Sequence, residues 1–336
     1  MNDGRKKTSG EDTLLTISDV ERIFGGERRL FGGRAPAVHA VQRLSLNVRK
    51  GETLGVVGES GCGKSTLARL VVGLDDPTSG KIVFDGESLA DLARKDGNAL
   101  ARKVQYVFQD PVASLNPRKT IRTILEAPLK HLTDLDKDGR EKRLTELLQA
   151  VNLAPEFLER YPHEFSGGQA QRIGIARALA AGPELIVLDE PVSALDVSVQ
   201  AQVLNLLDDL KKTFGLTYIF ISHDLSVVES VCDRVAVMYF GRIAELGPAQ
   251  SLFEAPMHPY TDLLMRSAPA PGRHELMAED ASAELPDPYN PPAGCAFAAR
   301  CNRKTRTCLD NLPASDQAPG PDSGHIAACY HPLIEA

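Results

Sequence analysis

The chain has 336 residues, of which 43% are hydrophobic and 25% are charged, and its formal net charge is −7. This composition is typical of a soluble globular protein, and the negative charge argues against a broad nucleic-acid surface, so no nucleic-acid partner is expected. The sequence has no apolar run of about 18 residues and no apolar segment of a signal peptide near its start, so a cytosolic location is predicted.

Short apolar stretches predict strands in the first hundred residues. Residues 1–12 are polar and are predicted to be disordered. Residues 14–20 indicate a first strand, with Phe24 at the turn that follows, and residues 25–36 form a loop rich in glycine and arginine. Residues 38–48 alternate apolar and polar side chains with the period of two that is typical of a strand.

The stretch after the apolar residues 53–57 matches the pattern G-x-x-x-x-G-K-[ST], which cradles phosphate groups between a strand and a helix. Its glycines allow a tight turn that aims backbone N–H groups at phosphate oxygens, and the helix dipole adds to this attraction. Lys64 is expected to reach the β- and γ-phosphates, and the Ser65 hydroxyl to bind Mg²⁺. The chain is therefore predicted to bind a nucleoside triphosphate. The predicted loop residues are Gly58, Glu59, Ser60, Gly61, Cys62, Gly63, Lys64, Ser65 and Thr66.

The sequence behind this loop predicts an α/β fold around one sheet. Another strand is predicted over residues 81–86, and a short strand over 104–109 ends in Gln109. Residues 121–132 and 141–151 carry apolar side chains at the spacing of helices.

A second helix N-terminus that favours anion binding is predicted after these helices. Ser166, Gly167, Gly168 and Gln169 precede a helix-forming run over 171–181. A single triphosphate rarely needs two such sites from one chain.

Two later strands deliver polar side chains at their carboxyl ends, where open α/β sheets bind ligands. The first is a fully apolar run that ends in Asp189 and Glu190, and the second precedes His223. Asp189 suits Mg²⁺, directly or through water, and Glu190 suits the positioning or deprotonation of an attacking water. Between the strands, Asp196 closes a turn before another helix.

These residues together resemble the ATP-binding subunit of an ABC transporter, in order and in spacing. The resemblance implies a RecA-like P-loop core with an antiparallel β subdomain and a helical subdomain. It also implies two cassettes packed head to tail. Each ATP site would be completed by the family's signature motif, which is Ser166–Gln169 here, and by Asp196, both supplied by the partner cassette. Phe24 would stack on adenine, with Phe31 as a competing candidate. Gln109 would sense the γ-phosphate, with Mg²⁺ also in reach, and Glu190 with His223 would activate water.

Three further stretches, at 110–117, 258–260 and 294–301, resemble the dipeptide/oligopeptide importers, and in particular the second ATPase of a heterodimeric pair. The resemblance implies ATP hydrolysis at the cytoplasmic face of the plasma membrane, two transmembrane permease subunits and an extracytoplasmic substrate-binding protein. Importers of nickel, glutathione, opines or sugars are alternatives, and a soluble ABC ATPase is a rival class. We expect a cassette over 13–255, with its helical subdomain at about 110–180, and a C-terminal extension over 256–336.

The extension holds Cys295, Cys301, Cys308 and Cys329, spaced C-x5-C-x6-C-x20-C. In a reducing compartment such clustering indicates a metal more than disulfides, but the spacing alone leaves a metal and free thiols both open. The family resemblance implies a [4Fe–4S] cluster on these positions, with zinc as the alternative. Because no electron partner is visible in the sequence, a structural role is expected for the cluster. Arg300, Arg303, Lys304 and Arg306 are expected to offset part of the negative charge of such a cluster.

Overall fold

The computed structural model describes residues 13–26, 36–267, 285–320 and 324–334. The strands are β1 (Thr13–Gly25), β2 (Ala37–Arg49), β3 (Thr53–Val57), β4 (Ser79–Phe84), β5 (Glu87–Ser88), β6 (Val104–Val107), β7 (Leu185–Asp189), β8 (Thr217–Ile221), β9 (Arg234–Tyr239), β10 (Arg242–Pro248), β11 (Ala318–Pro319) and β12 (Ile326–Ala327). The helices are α1 (Lys64–Val71), α2 (Leu89–Lys95), α3 (Ala99–Lys103), α4 (Ile121–Leu132), α5 (Lys137–Ala150), α6 (Gly167–Leu179), α7 (Val197–Phe214), α8 (Leu225–Val231), α9 (Ala249–Glu254), α10 (Pro259–Ser267) and α11 (Arg306–Asp310). None of the helices in the described ranges combines the length and the apolar character that a membrane span requires.

The larger sheet carries the predicted site. Within the described residues its strand order is β11-β12-β10-β9-β3-β8-β7-β6. The strands from β9 to β6 run parallel, whereas β10, β12 and β11 pair antiparallel. Every residue of β3, β7 and β8 is buried. Because helices and a second sheet cover both faces, these strands read as continuous apolar runs rather than alternating ones.

The smaller sheet has the order β2-β1-β4-β5 in the described part of the chain. Its long strands β1 and β2 pair antiparallel through several register shifts, and residues such as Leu15, Ile17 and Val48 point into the core. These side chains pack against one face of the larger sheet together with α1. The predicted strands are confirmed, although β1 and β2 extend beyond the predicted bounds. Phe24 lies within β1, paired with Val38, and not at a turn as predicted.

The helical layer packs on the opposite face of the larger sheet through Leu125, Leu148 and Ile173. The helix predicted over 121–132 is confirmed, and α5 begins four residues earlier than predicted because Asp136 caps it by accepting from the Gly139 N–H. The expected start of α6 at residue 171 was wrong: the helix begins at Gly167, and both glycines lie in its first turn. Ser166 and Gln169 form a capping box that outweighs the low helix propensity of glycine.

The C-terminal residues are continuous with the larger sheet. Strand β12 pairs with β10, with Glu245 opposite Ala327. The Glu245 carboxylate is fully buried and accepts from the backbone N–H groups of Met257 and His258 and from His325 Nε2 at 2.7 Å. This one carboxylate therefore joins β10, the residues before α10 and the segment before β12. Burial lowers the pKa of His258 to about 4, so its ring is neutral and accepts from the Tyr260 N–H.

Candidate nucleotide site

The predicted phosphate loop joins β3 to α1 and closes tightly on its surroundings. Gly58 has φ +152° and Gly63 has φ +106°. A Cβ on Gly58 would lie 2.2 Å from the carbonyl oxygen of Met238, and a Cβ on Gly63 would lie 2.4 Å from that of Ala40. Only glycine fits these two positions. Lys64 is buried, and its Nζ donates to the carbonyl oxygens of Gly58 at 2.7 Å and Glu59 at 3.0 Å. The loop therefore has the turn and the fixed lysine that phosphate binding requires.

A cavity of about 540 Å³, the phosphate-loop cavity, opens beside this loop. Gly58, Glu59 and Cys62 do not line it, and Cys62 is buried in the core, which raises the pKa of its thiol. The other six predicted loop residues do line it, together with Gln109, Glu190 and His223. The lining residues are Val38, His39, Ala40, Ser60, Gly61, Gly63, Lys64, Ser65, Thr66, Gln109, Glu190, His223, Phe240, Gly241 and Pro288.

Parallel pairing explains why residues so distant in sequence meet here. Asp189, the last residue of β7, lies opposite Ile221, the last residue of β8, and Val56 of β3 also lies opposite Ile221. The carboxyl ends of β3, β6, β7 and β8 thus share one edge of the sheet. This edge is where a doubly wound sheet binds ligands.

Glu190 lies at the centre of a three-residue contact. Its carboxylate accepts from Gln109 Nε2 at 2.8 Å, and its other oxygen lies 3.2 Å from His223 Nδ1. Its backbone has φ +48°, in the left-handed region that residues other than glycine seldom adopt. The Glu190 N–H donates to the Ile221 carbonyl, which holds this conformation in place. Such strain is common at functional sites.

Asp189 is buried beside a residue that sequence reasoning did not single out. Tyr106 of β6 donates its hydroxyl to Asp189 Oδ2 at 2.5 Å. Burial and this carboxylate raise the pKa of Tyr106, so the hydroxyl stays a donor at neutral pH. The signal in the sequence was a phenol within a short apolar strand, and only the pairing of β6 with β7 reveals its partner.

The signature residues and Asp196 do not line the phosphate-loop cavity. Ser166, Gly167 and Asp196 are exposed, and Gly168 packs so closely on Val199 that a Cβ would lie 2.4 Å from it. The second predicted anion site therefore faces solvent and not the loop of its own chain.

Phe24 does not line the phosphate-loop cavity either. It lies opposite Val38, which does, and the guanidinium of Arg22 lies 4.5 Å from the centre of its ring. The competing candidate, Phe31, lies outside the described residues.

All four clustered cysteines line a second, small cavity, the cysteine cavity, together with His258, Phe297, Arg303 and His331. Burial raises the pKa of Cys295 and Cys301, and it raises the pKa of Cys329 to about 11, with smaller contributions from the neighbouring thiols. The His331 N–H donates to Cys329 Sγ at 3.4 Å. Across the described ranges, no group of three or more His, Cys, Asp or Glu side chains is arranged to hold a metal ion.

The expectation that Arg300 offsets charge at the cysteines needs correction. All four basic residues predicted for that role are described in the structure. One of them, Arg303, lines the cysteine cavity. Arg300 instead points to the phosphate loop, with its Nη1 2.8 Å from Glu59 Oε2. Arg306 pairs with Asp310 on its own helix. Local sequence could not reveal the partner of Arg300, which is 241 residues away.

Two family models match the chain. Residues 41–193 match the family "ABC transporter", and residues 244–308 match "Oligopeptide/dipeptide transporter, C-terminal region". The chain is 47% identical to the oligopeptide transport ATP-binding protein AppF of Bacillus subtilis, over 96% of this chain and 98% of the relative. It is 46% identical to the dipeptide transport ATP-binding protein DppF of Haemophilus influenzae, over 95% and 96%.

The fold is similar to that of solved ATP-binding cassettes. The dimeric cassette MJ0796 bound to ADP and Pi superposes with a TM-score of 0.60 at 29% identity, covering 70% of this chain and 99% of that one. The structure of cbiO1 from Clostridium perfringens gives a TM-score of 0.62 at 29% identity, covering 73% and 92%. From its family matches and the similarity along nearly its whole length, the chain belongs to the ATP-binding subunits of the oligopeptide/dipeptide ABC transporters.

Proposed function

We propose that this chain hydrolyses ATP to drive the import of dipeptides or oligopeptides. The observation that carries the proposal is the meeting of Lys64, Gln109, Glu190 and His223 at one cavity, in a chain whose relatives are named for peptide transport. Two transmembrane permease subunits and an extracytoplasmic substrate-binding protein complete such an importer, with this chain at the cytoplasmic face of the membrane.

At the phosphate-loop cavity, the residues divide the work of phosphoryl transfer. Lys64 and the N–H groups at the start of α1 bind the phosphates. The Ser65 hydroxyl, Asp189 and Gln109 have the oxygen ligands that suit Mg²⁺, which neutralises charge on the phosphates when bound. Glu190 orients the attacking water and accepts its proton, and His223 holds the carboxylate from the other side.

The exposed signature supports a head-to-tail dimer. Ser166–Gln169 and Asp196 lie away from the phosphate-loop cavity of their own chain, so they are free to close over the ATP of a second cassette. A structurally similar cassette is dimeric with ADP and Pi bound. We propose a heterodimer with a second, homologous ATPase, in which Phe24 stacks on adenine beside Val38.

For the C-terminal extension, we propose that Cys295, Cys301, Cys308 and Cys329 hold a [4Fe–4S] cluster. A set of four thiols is the donor set that such a cluster requires. The four thiols line one cavity, and zinc is the alternative occupant. We propose that the cassette spans residues 13–255 and that the extension spans residues 256–336. The role proposed for the cluster is structural.

An uptake assay tests the proposed function. A strain that lacks this protein is expected to lose uptake of labelled dipeptides or longer peptides, to regain it with the wild-type protein, and not to regain it with Glu190→Gln. Unchanged peptide uptake with lost nickel uptake would assign the transporter to another cargo. Co-purification of the chain with two multispanning proteins and a second ATPase tests the assembly, and its recovery without any membrane protein would contradict it.

A further inference from the structure

Glu59, the second residue of the phosphate loop, does not line the phosphate-loop cavity. It contacts the C-terminal segment, by which we mean the described residues after residue 255. The Glu59 carboxylate pairs with Arg300 at 2.8 Å, and Arg300 lies between Cys295 and Cys301 in sequence, just after the short 3-10 helix Ala296–Ala299. The Arg300 side chain is 5% exposed and that of Glu59 is 30% exposed. The guanidinium is sheltered from water while the carboxylate is partly exposed, so the pair is screened less than one that lies fully at the surface.

The backbone of Glu59 has a second anchor on the same segment. Its N–H donates to the hydroxyl of Tyr260 at 2.9 Å. Tyr260 is fully buried, and its ring packs against those of Tyr239 and Phe297, with ring centres 4.5 and 5.4 Å apart. Because this aromatic cluster fixes the hydroxyl, it also fixes the position of the Glu59 N–H.

The anchored residue is one of two that orient the phosphate-binding lysine. The Glu59 carbonyl accepts from Lys64 Nζ at 3.0 Å. A shift of Glu59 therefore moves one of the two carbonyl groups that hold the ammonium. Because Lys64 is the residue proposed to bind the β- and γ-phosphates, displacing its ammonium should weaken the binding of ATP.

The same segment touches the cavity at a further point. The His39 N–H donates to the carbonyl of Pro288, and Pro288 lines the phosphate-loop cavity. Leu285 lies against Gly61 of the loop. The C-terminal residues thus meet the nucleotide site at its loop and at its wall.

We propose that Arg300 and Tyr260 are positioning residues of the phosphate loop, through which the C-terminal segment sets the affinity for ATP. The inference rests on the proposed binding of ATP by Lys64. It gives the residues around the cysteines a role in nucleotide binding that does not depend on what the cysteines hold.

The test measures the affinity of the purified full chain for a fluorescent ATP analogue. We expect Arg300→Met to weaken binding about tenfold, within the range of coupling between sites, while turnover at saturating ATP changes less than about twofold. The control is Arg306→Met, because Arg306 is 93% exposed and pairs within its own helix. A purely structural role would instead lower the active fraction and leave the affinity of the remainder unchanged.

Further variants keep the test independent of folding. Glu59→Gln retains a neutral hydrogen bond, which is about half as strong as a charge-assisted one, and should weaken binding by a few-fold. Adding it to Arg300→Met should weaken binding no further, and Tyr260→Phe should weaken it separately. Equal affinity in Arg300→Met and its control would overturn the inference. Failure of the wild-type chain to bind the analogue would instead overturn the proposed function.

Discussion

The phosphate-loop cavity and the cysteine cavity bring together distant residues in different ways. In the first, the functional side chains follow the ends of parallel strands, and the register of the sheet sets their spacing. In the second, the thiols are carried by short helices and irregular segments. Strand ends therefore place oxygen and nitrogen atoms within direct hydrogen-bond distance, whereas the loops gather four thiols around one small cavity.

The largest expected effect is at Glu190 in the phosphate-loop cavity. Glu190→Gln keeps the shape of the side chain but removes the base, so turnover should fall by roughly two to four decades. ATP binding should be preserved, which equilibrium binding with the same analogue measures. Glu229, which is exposed on α8, supplies the matched control Glu229→Gln. Wild-type turnover in Glu190→Gln would remove this carboxylate from the chemistry.

The corresponding change in the cysteine cavity is Cys308→Ser. If a cluster bridges the four thiols, losing one ligand should release iron and acid-labile sulfide and lower the free energy of unfolding. The free energy of unfolding should fall by about 4 kcal/mol if the free ligand is present at a thousand times its Kd. Iron and sulfide assays of anaerobically purified protein, with chemical unfolding, measure both, and exposed Thr307→Ser is the control. Zinc without sulfide in the wild-type protein would contradict the cluster.

A smaller effect is expected at His258, which lines the cysteine cavity. Its pKa is lowered to about 4 in the folded chain from 6.5, so below pH 6.5 the unfolded chain binds more protons. The free energy of unfolding should therefore fall as the pH drops from 6.5 towards 4, by about 3 kcal/mol. Unfolding titrations of His258→Asn should lack this portion of the pH dependence. The exposed His163→Asn should retain it, and identical profiles for the wild type and His258→Asn would exclude the effect.

The smallest expected effect is at Tyr106, whose hydroxyl donates to Asp189 at the end of β7. Tyr106→Phe removes the hydroxyl that orients Asp189, and partners of metal ligands are commonly worth tenfold or more in metal affinity. We expect the Mg²⁺ concentration for half-maximal turnover to rise about tenfold. Binding of Mn²⁺ in the presence of nucleotide, followed by electron paramagnetic resonance, should weaken in parallel. Tyr161→Phe, at an exposed tyrosine, should change neither quantity.

The sequence predicted what is local and missed what is joined across the fold. The phosphate loop and the Asp189–Glu190 pair are contiguous, so pattern alone located them. The partners of Asp189 and Glu59 come from other elements, because Tyr106 meets Asp189 only when β6 pairs with β7 and Arg300 is 241 residues from Glu59. The early start of α6 was missed for another reason, since a capping box prevailed over two glycines.

The pairing of β12 with β10 has a consequence for shortened versions of the chain. With β12 removed, the N–H and C=O groups of β10 around Glu245 and Leu246 would lose their partners. An open sheet edge of this kind readily joins the edge of another molecule. A version cut after residue 255 should therefore self-associate in solution, even though every residue predicted to touch ATP would still be present.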